Sequence, residues 1–189
     1  MVTPPALPMW FDPVEQAQLF ALLDELAPVR CLEWGCGGST RAILERHASV
    51  ESYLSIEHDP AWYRRVAREV TDRRLDLRWA APNRPLEGTA DAPSAQRIAW
   101  DAQAEVDPEI LRDYVELPAH LGGRFDFVLV DGRARRFCLR AGFDQLDAGG
   151  ALALHDAQRE SYRDALESLG PVEFFEPWVQ GQLAVVRKG

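Results

Sequence analysis

Positive charge is in short supply in this sequence: 21 Lys and Arg stand against 30 Asp and Glu, a formal net charge of −9. Binding to a phosphate backbone draws on clustered Lys and Arg, so this balance argues against a nucleic-acid partner and favours a small molecule or a protein. Cysteine is scarce as well. Cys31, Cys36 and Cys138 are odd in number and lack zinc-type spacing. Read as reduced thiols, they fit a cytoplasmic protein. Long apolar runs are missing; none reaches the roughly 18 residues that a membrane span needs, so no membrane partner is expected. The opening MVTPPALPMWFDP has neither the basic start nor the apolar run of a signal peptide. Internal repeats and low-complexity tracts are absent too.

What is present is enough apolar material, 47% of 189 residues, for one soluble domain with a real core, 1–189. Strand-like and helix-like patterns alternate along it. VEQAQLFALLDELA, from Val14, has helical spacing, and residues 1–27 read as an N-terminal helical segment or lid. VRCLEW is a short buried strand, followed by the helix STRAILERHA with Ser39 or Thr40 as its N-cap. SYLSIEHD and PAWYRRVAREVTD form a second strand and helix, RLDLRWAA a third strand, and FDFVLVDG the clearest strand of all. Residues 82–122 read as an irregular insertion holding one or two helices, PEILRDYVELPAHL being the better candidate. A helix from Phe137 to Leu146, a fifth strand GALALHDA and a helix SYRDALESLG follow. The chain then closes as two strands around a turn at Gln180 and Gly181. The fold class is therefore α/β, a doubly wound and mostly parallel sheet.

The first strand ends in EWGCGGST. Without a Cβ, Gly35, Gly37 and Gly38 allow a tight turn and close approach of a ligand to the backbone. In open parallel sheets ligands sit beyond the carboxyl ends of the strands, where the winding reverses, which is where this turn falls. A strand-to-helix turn that binds nothing is the plain alternative. The dinucleotide fingerprint G-x-G-x-x-G, started at Gly35, puts Thr40 where its last glycine belongs. Glu33, just ahead of the glycines, would repel a pyrophosphate and suits a cationic ligand.

E-x-G-x-G at the end of a first strand resembles the S-adenosylmethionine loop of class I methyltransferases. Glu57 ends the second strand and Asp131 the fourth, in that family's order, and the terminal hairpin matches the last part of its seven-stranded sheet. VLVDGRARR, GGALALHD and QRESY are similar to small bacterial methyltransferases with VDG-x-x-R and HD motifs; the likeness runs from Pro28 to Gly189. It implies an S-adenosylmethionine site built from Glu33, Gly35, Cys36, Gly37, Ser39, Glu57, His58 and Asp131. Glu57 would accept the ribose hydroxyls, His58 flank the adenine and Glu33 hold the amino group. Asp131 would lie near the methionine end and the acceptor. A strand-end acid for Glu57 and a carboxylate that pins the turn for Glu33 are the structural alternatives.

Methyl transfer is an in-line displacement from a sulfonium, so the protein must align the acceptor and, for a hydroxyl, remove a proton. Asp131, His155 and Asp156 are the candidates, with His155 the first choice as general base. Metal-dependent relatives of the caffeoyl-CoA type place an acid at each of these two strand ends and an Asn after the second. Ala157 stands there instead, so a divalent metal is the less favoured alternative. GRARRFCLR sets Arg133, Arg135 and Arg136 near a helix start, where the dipole disfavours cations, so each needs an acid or an anionic substrate group. Trp10 and Phe11 supply either an acceptor lid or a hydrophobic staple for the first helix. The function expected is methyl transfer to a small molecule, at oxygen. Its rivals are a Rossmann-type dinucleotide oxidoreductase and a non-catalytic nucleoside-binding scaffold.

Overall fold

The computed structural model describes residues 7–86 and 94–189. Residues 1–6 and 87–93, the start of the N-terminal segment and part of the insertion, lie outside the described residues. Helix α1 (Pro13–Leu26) starts at Asp12, whose Oδ1 accepts from the N–H groups of Val14 and Glu15, with Pro13 at the first helical position. Strand β1 (Arg30–Trp34) leads into α2 (Gly38–Arg46), and β2 (Ser52–Glu57) into α3 (Pro60–Glu69). Asp59 and Pro60 repeat the start signal of α1 at α3. Strand β3 (Leu75–Trp79) precedes two helices, α4 (Ser94–Ala104) and α5 (Arg112–Leu121), so the expected insertion carries both. Then come β4 (Phe125–Val130), α6 (Arg135–Gln145), β5 (Leu146–Leu154), a short 3-10 turn with α7 (Arg163–Glu167), β6 (Val172–Phe174) and β7 (Ala184–Arg187).

The strands form one sheet in the order β3-β2-β1-β4-β5-β7-β6. All neighbours from β3 to β5 run parallel, and β7 runs antiparallel to both β5 and β6. Winding reverses between β1 and β4, so the crevice lies beyond their carboxyl ends. Both faces are covered. Leu32, Trp34, Val128 and Leu152 pack on one side with Tyr114 of α5 and Leu139 of α6. Cys31, Tyr53, Phe127 and Ala151 pack on the other with Leu19 and Leu23 of α1. Alternation along each strand assigns these faces, and it puts Glu33 on the α1 side.

Three local expectations need correction. The helix after β1 is capped at Gly37, because the hydroxyls of Ser39 and Thr40 turn inward to Glu33. Helix α6 begins at Arg135 rather than Phe137, since Glu105 accepts the Arg135 N–H at 2.9 Å and so satisfies the helix start. The final hairpin has no tight turn at Gln180 and Gly181: residues 175–183 join its strands, and Asp12 Oδ2 accepts the N–H groups of Gln180 and Gly181, each at 3.2 Å. No described helix is long and apolar enough to cross a membrane.

Candidate functional site

The turn after β1 is as tight as its glycines allow. Gly35 has φ +93°, and a Cβ there would lie 2.6 Å from the Cα and N of Gly132, so the tips of β1 and β4 touch through bare backbone. The N–H of Asp131 donates to the Trp34 carbonyl at 2.9 Å across the same contact. Glu33 is fully buried and accepts three hydroxyls: Ser39 and Thr40 at 2.5 Å and Ser55 at 3.0 Å. Burial lifts its carboxyl to about 7, against the lowering effect of those hydroxyls and with help from the charge of Asp131. Thr40 Oγ1 also accepts the Gly37 N–H at 2.8 Å, so strand, turn and helix form one hydrogen-bonded unit.

Glu57 is buried at the tip of β2, where its Oε1 accepts the N–H groups of His58 and Asp59 at 2.8 Å each. Among the described residues its Oε2 receives only the Cys36 thiol, at 3.7 Å. Burial first, then the charges of Glu57 and Glu33, push that thiol up, so it stays a neutral donor. Trp62 of α3 donates from Nε1 to the Cys36 carbonyl at 2.5 Å, and a Cβ at Gly37 would lie 3.5 Å from its indole ring. His58 Nδ1 sits 2.9 Å from Glu57 Oε1 without hydrogen-bond geometry. The His58 ring lies nearly parallel to Trp100 of α4 at 5.8 Å and meets the edge of Tyr114 at 5.5 Å. Among the described residues the buried Tyr114 hydroxyl has no hydrogen-bond partner, and it presses on Gly132, where any Cβ would overlap it.

The tips of β4 and β5 carry a denser set of charges. His155 is buried, with Nδ1 2.7 Å from Glu15 Oε1 on α1 and Nε2 3.7 Å from Asp131 Oδ1 and 3.8 Å from Asp156 Oδ1. Phe11 stacks on its ring at 4.1 Å. Burial opposes charging of this imidazole, but the hydrogen bond to Glu15 and the charges of Asp131 and Glu15 prevail, raising it above the usual histidine range. Burial raises the Asp131 carboxyl, although His155 and Arg135 pull the other way. Asp156, in a left-handed backbone conformation at φ 61°, is half-buried; desolvation pushes it up, yet His155, Gln158 and Arg135 hold it below the ordinary value.

Arg135 is nearly fully buried among these acids. Its Nη2 lies 3.2 Å from Asp131 Oδ1 and its Nη1 3.7 Å from Asp156 Oδ2, while the same guanidinium donates to the carbonyls of Gly132, Asp131 and His155. A fixed monocation therefore stands between the two carboxylates that a divalent cation would need, and this donor set does not fit a metal. Among the described residues no group of three or more His, Cys, Asp or Glu is arranged to hold one. Arg133 pairs with Asp101 at 3.0 Å and Arg136 with Asp164 at 2.7 Å, so each arginine of the turn has an acid partner.

The sequence-predicted residues thus fall in two groups: Glu33, Gly35, Cys36, Gly37, Ser39, Glu57 and His58 around β1 and β2, and Asp131, His155 and Asp156 at β4 and β5. Sequence reasoning missed Glu15 and the bridging position of Arg135. A signal for Glu15 exists, because it occupies the stripe of Leu19, Leu22 and Leu23 that α1 buries.

No family model and no curated protein sequence matches the chain. Solved structures do. A methyltransferase-like protein of Silicibacter pomeroyi superposes with a TM-score of 0.60 at 21% identity, over 97% of this chain and 90% of that one. The 16S rRNA N2 G1207 methyltransferase of T. thermophilus, in complex with AdoMet and guanosine, gives 0.59 at 16% identity over 98% of this chain, which spans about half (46%) of that protein. A methyltransferase of Pyrococcus furiosus gives 0.53 at 15% identity, over 98% and 86%. Together with the strand order and the terminal antiparallel hairpin, these likenesses establish that the chain has the class I methyltransferase fold.

Proposed function

We propose that the protein is an S-adenosylmethionine-dependent methyltransferase acting on a hydroxyl of a small molecule. The observation that carries this reading is the ring of carboxylates at the tips of β1, β2 and β4 around Gly35, whose positive φ and backbone contact with Gly132 leave no space for a side chain. Glu57 Oε2, with only a thiol against it among the described residues, would take the ribose hydroxyls, each charged hydrogen bond contributing about 1.5–3 kcal/mol. The Tyr114 hydroxyl, buried without a hydrogen-bond partner among the described residues, is a donor available at the same turn. Glu33, its oxygens already engaged by three hydroxyls, would serve by holding the turn's shape.

The bound nucleoside would supply an electrophilic methyl group on a sulfonium. Asp131 would favour that positive charge near the tip of β4, and His155 would take the acceptor's proton. The net charge of −9 and the acid-paired arginines of the turn support a small, non-anionic acceptor over a nucleic acid. Three free, buried cysteines support a reducing, cytoplasmic setting.

Calorimetric titration tests the reading. S-adenosylhomocysteine should bind the wild type, Glu57→Ala should weaken it about tenfold or more, and NAD should produce no binding heat. Binding of NAD but not of S-adenosylhomocysteine would turn the assignment to a dinucleotide protein; binding of neither would leave a scaffold.

A further inference from the structure

The buried Glu15 on α1 has one carboxylate oxygen on His155 Nδ1 and the other buried with no hydrogen-bond partner among the described residues, wedged against Gly181. A carboxylate this enclosed is costly unless its contact does something. The contact fixes the imidazole. Glu15 meets Nδ1, Phe11 covers a face of the ring, and Nε2 is turned to the strand tips between Asp131 and Asp156. Which ring nitrogen carries the proton of a neutral histidine is set by the hydrogen bond the other nitrogen makes or refuses. A carboxylate can only accept, so a neutral His155 must put its proton on Nδ1 and leave the Nε2 lone pair facing the site.

We propose that Glu15 is a positioning residue that holds His155 in the Nδ1–H tautomer, so that Nε2 is the proton acceptor in methyl transfer. The inference rests on the methyltransferase reading above. In the step it serves, the acceptor oxygen bonds to the methyl carbon as the carbon–sulfur bond breaks. That electron pair stays on sulfur, and the hydroxyl proton goes to Nε2. Water later removes the proton from the imidazolium. Among the described residues the charged groups facing His155 are Glu15 from α1, Asp131 just past β4, Asp156 after β5 and Arg135 from α6, and a substitution at Glu15 leaves the last three residues unchanged in the sequence.

The readout is long-range ¹H–¹⁵N correlation NMR on histidine-labelled protein, titrated through the His155 transition. In the wild type the neutral ring should carry its proton on Nδ1. Glu15→Gln, which keeps the shape but not the charge, should lower the titration midpoint by about one to two pH units. Glu15→Ala should lower it as well and move the neutral proton to Nε2. A wild-type proton on Nε2, or a midpoint and tautomer unmoved in the variants, overturns the proposal. If Glu15→Ala fails to fold, the wild-type tautomer and the Gln variant decide it. S-adenosylhomocysteine added to the same wild-type sample probes the underlying reading separately: without binding that reading falls, whatever the tautomer.

Discussion

At the tips of β1 and β2, neutral donors hold Glu33 and Glu57: three hydroxyls on one, and two backbone N–H groups and a thiol on the other. At the tips of β4 and β5, a cation faces the carboxylates: Arg135 lies between Asp131 and Asp156, with the titratable His155 beside both and Glu15 behind it. The same crevice thus has a side set by fixed dipoles and a side set by a balance of charges. Dipoles hold a shape whatever arrives. A charge balance responds to a new cation, as a sulfonium at the β4 tip would be, and it is the side on which proton transfer can be tuned.

The sharpest way to break this contrast is to remove the central cation. Arg135→Met should cost about 3–5 kcal/mol in urea unfolding, because it leaves the half-buried Asp131 and three carbonyls without the guanidinium that donates to them, and leaves Asp156 to Gln158 and Arg159 alone. A loss under about 1 kcal/mol would mean that the ion network does not hold that edge together.

On the dipole side the effect is next in size and depends on pH. The folded protein keeps the Glu33 proton up to about 7, whereas the unfolded chain releases it near the ordinary 4.5. Between those values the folded state binds more protons, so the Glu33 contribution falls as pH rises, by about 3 kcal/mol across the window. Glu33→Gln should lack this slope and gain relative to wild type above pH 7. Equal slopes in the two proteins would show that the hydroxyls compensate the buried charge.

The smallest expected effect lies between the two sides. The N-terminal segment spans them, with Trp10 stacked on Trp62 at 5.1 Å and Phe11 on His155. Trp10 is 71% exposed, so Trp10→Ala should cost no more than about 1 kcal/mol of thermal or urea stability. A larger loss would make the segment part of the core rather than a cover.

Which residues sit at the strand tips was legible in the sequence, because each apolar run stops at an acid or at a glycine after one: Glu33, Glu57 and Asp131. The partners of those residues were not. Ser39 and Thr40 have the chemistry of helix caps, yet a buried carboxylate six and seven residues earlier takes both hydroxyl protons, and only Thr40 also serves the helix start, by accepting the Gly37 N–H. Arg135 looked misplaced at a helix start because its acids come from just past β4, from just past β5 and, through its N–H, from Glu105 just past α4. The contact of Glu15 with His155 closes a separation of 140 residues. Local patterns encode where a strand stops, while a charge network is encoded only in the tertiary fold.

A structure of the protein with S-adenosylhomocysteine tests the central claim most directly. The ribose should lie against the Glu57 carboxylate, with the sulfur between Gly35 and Asp131. A nucleoside bound elsewhere, with Tyr114 and Trp100 still closed on His58 and the turn unvisited, would contradict it.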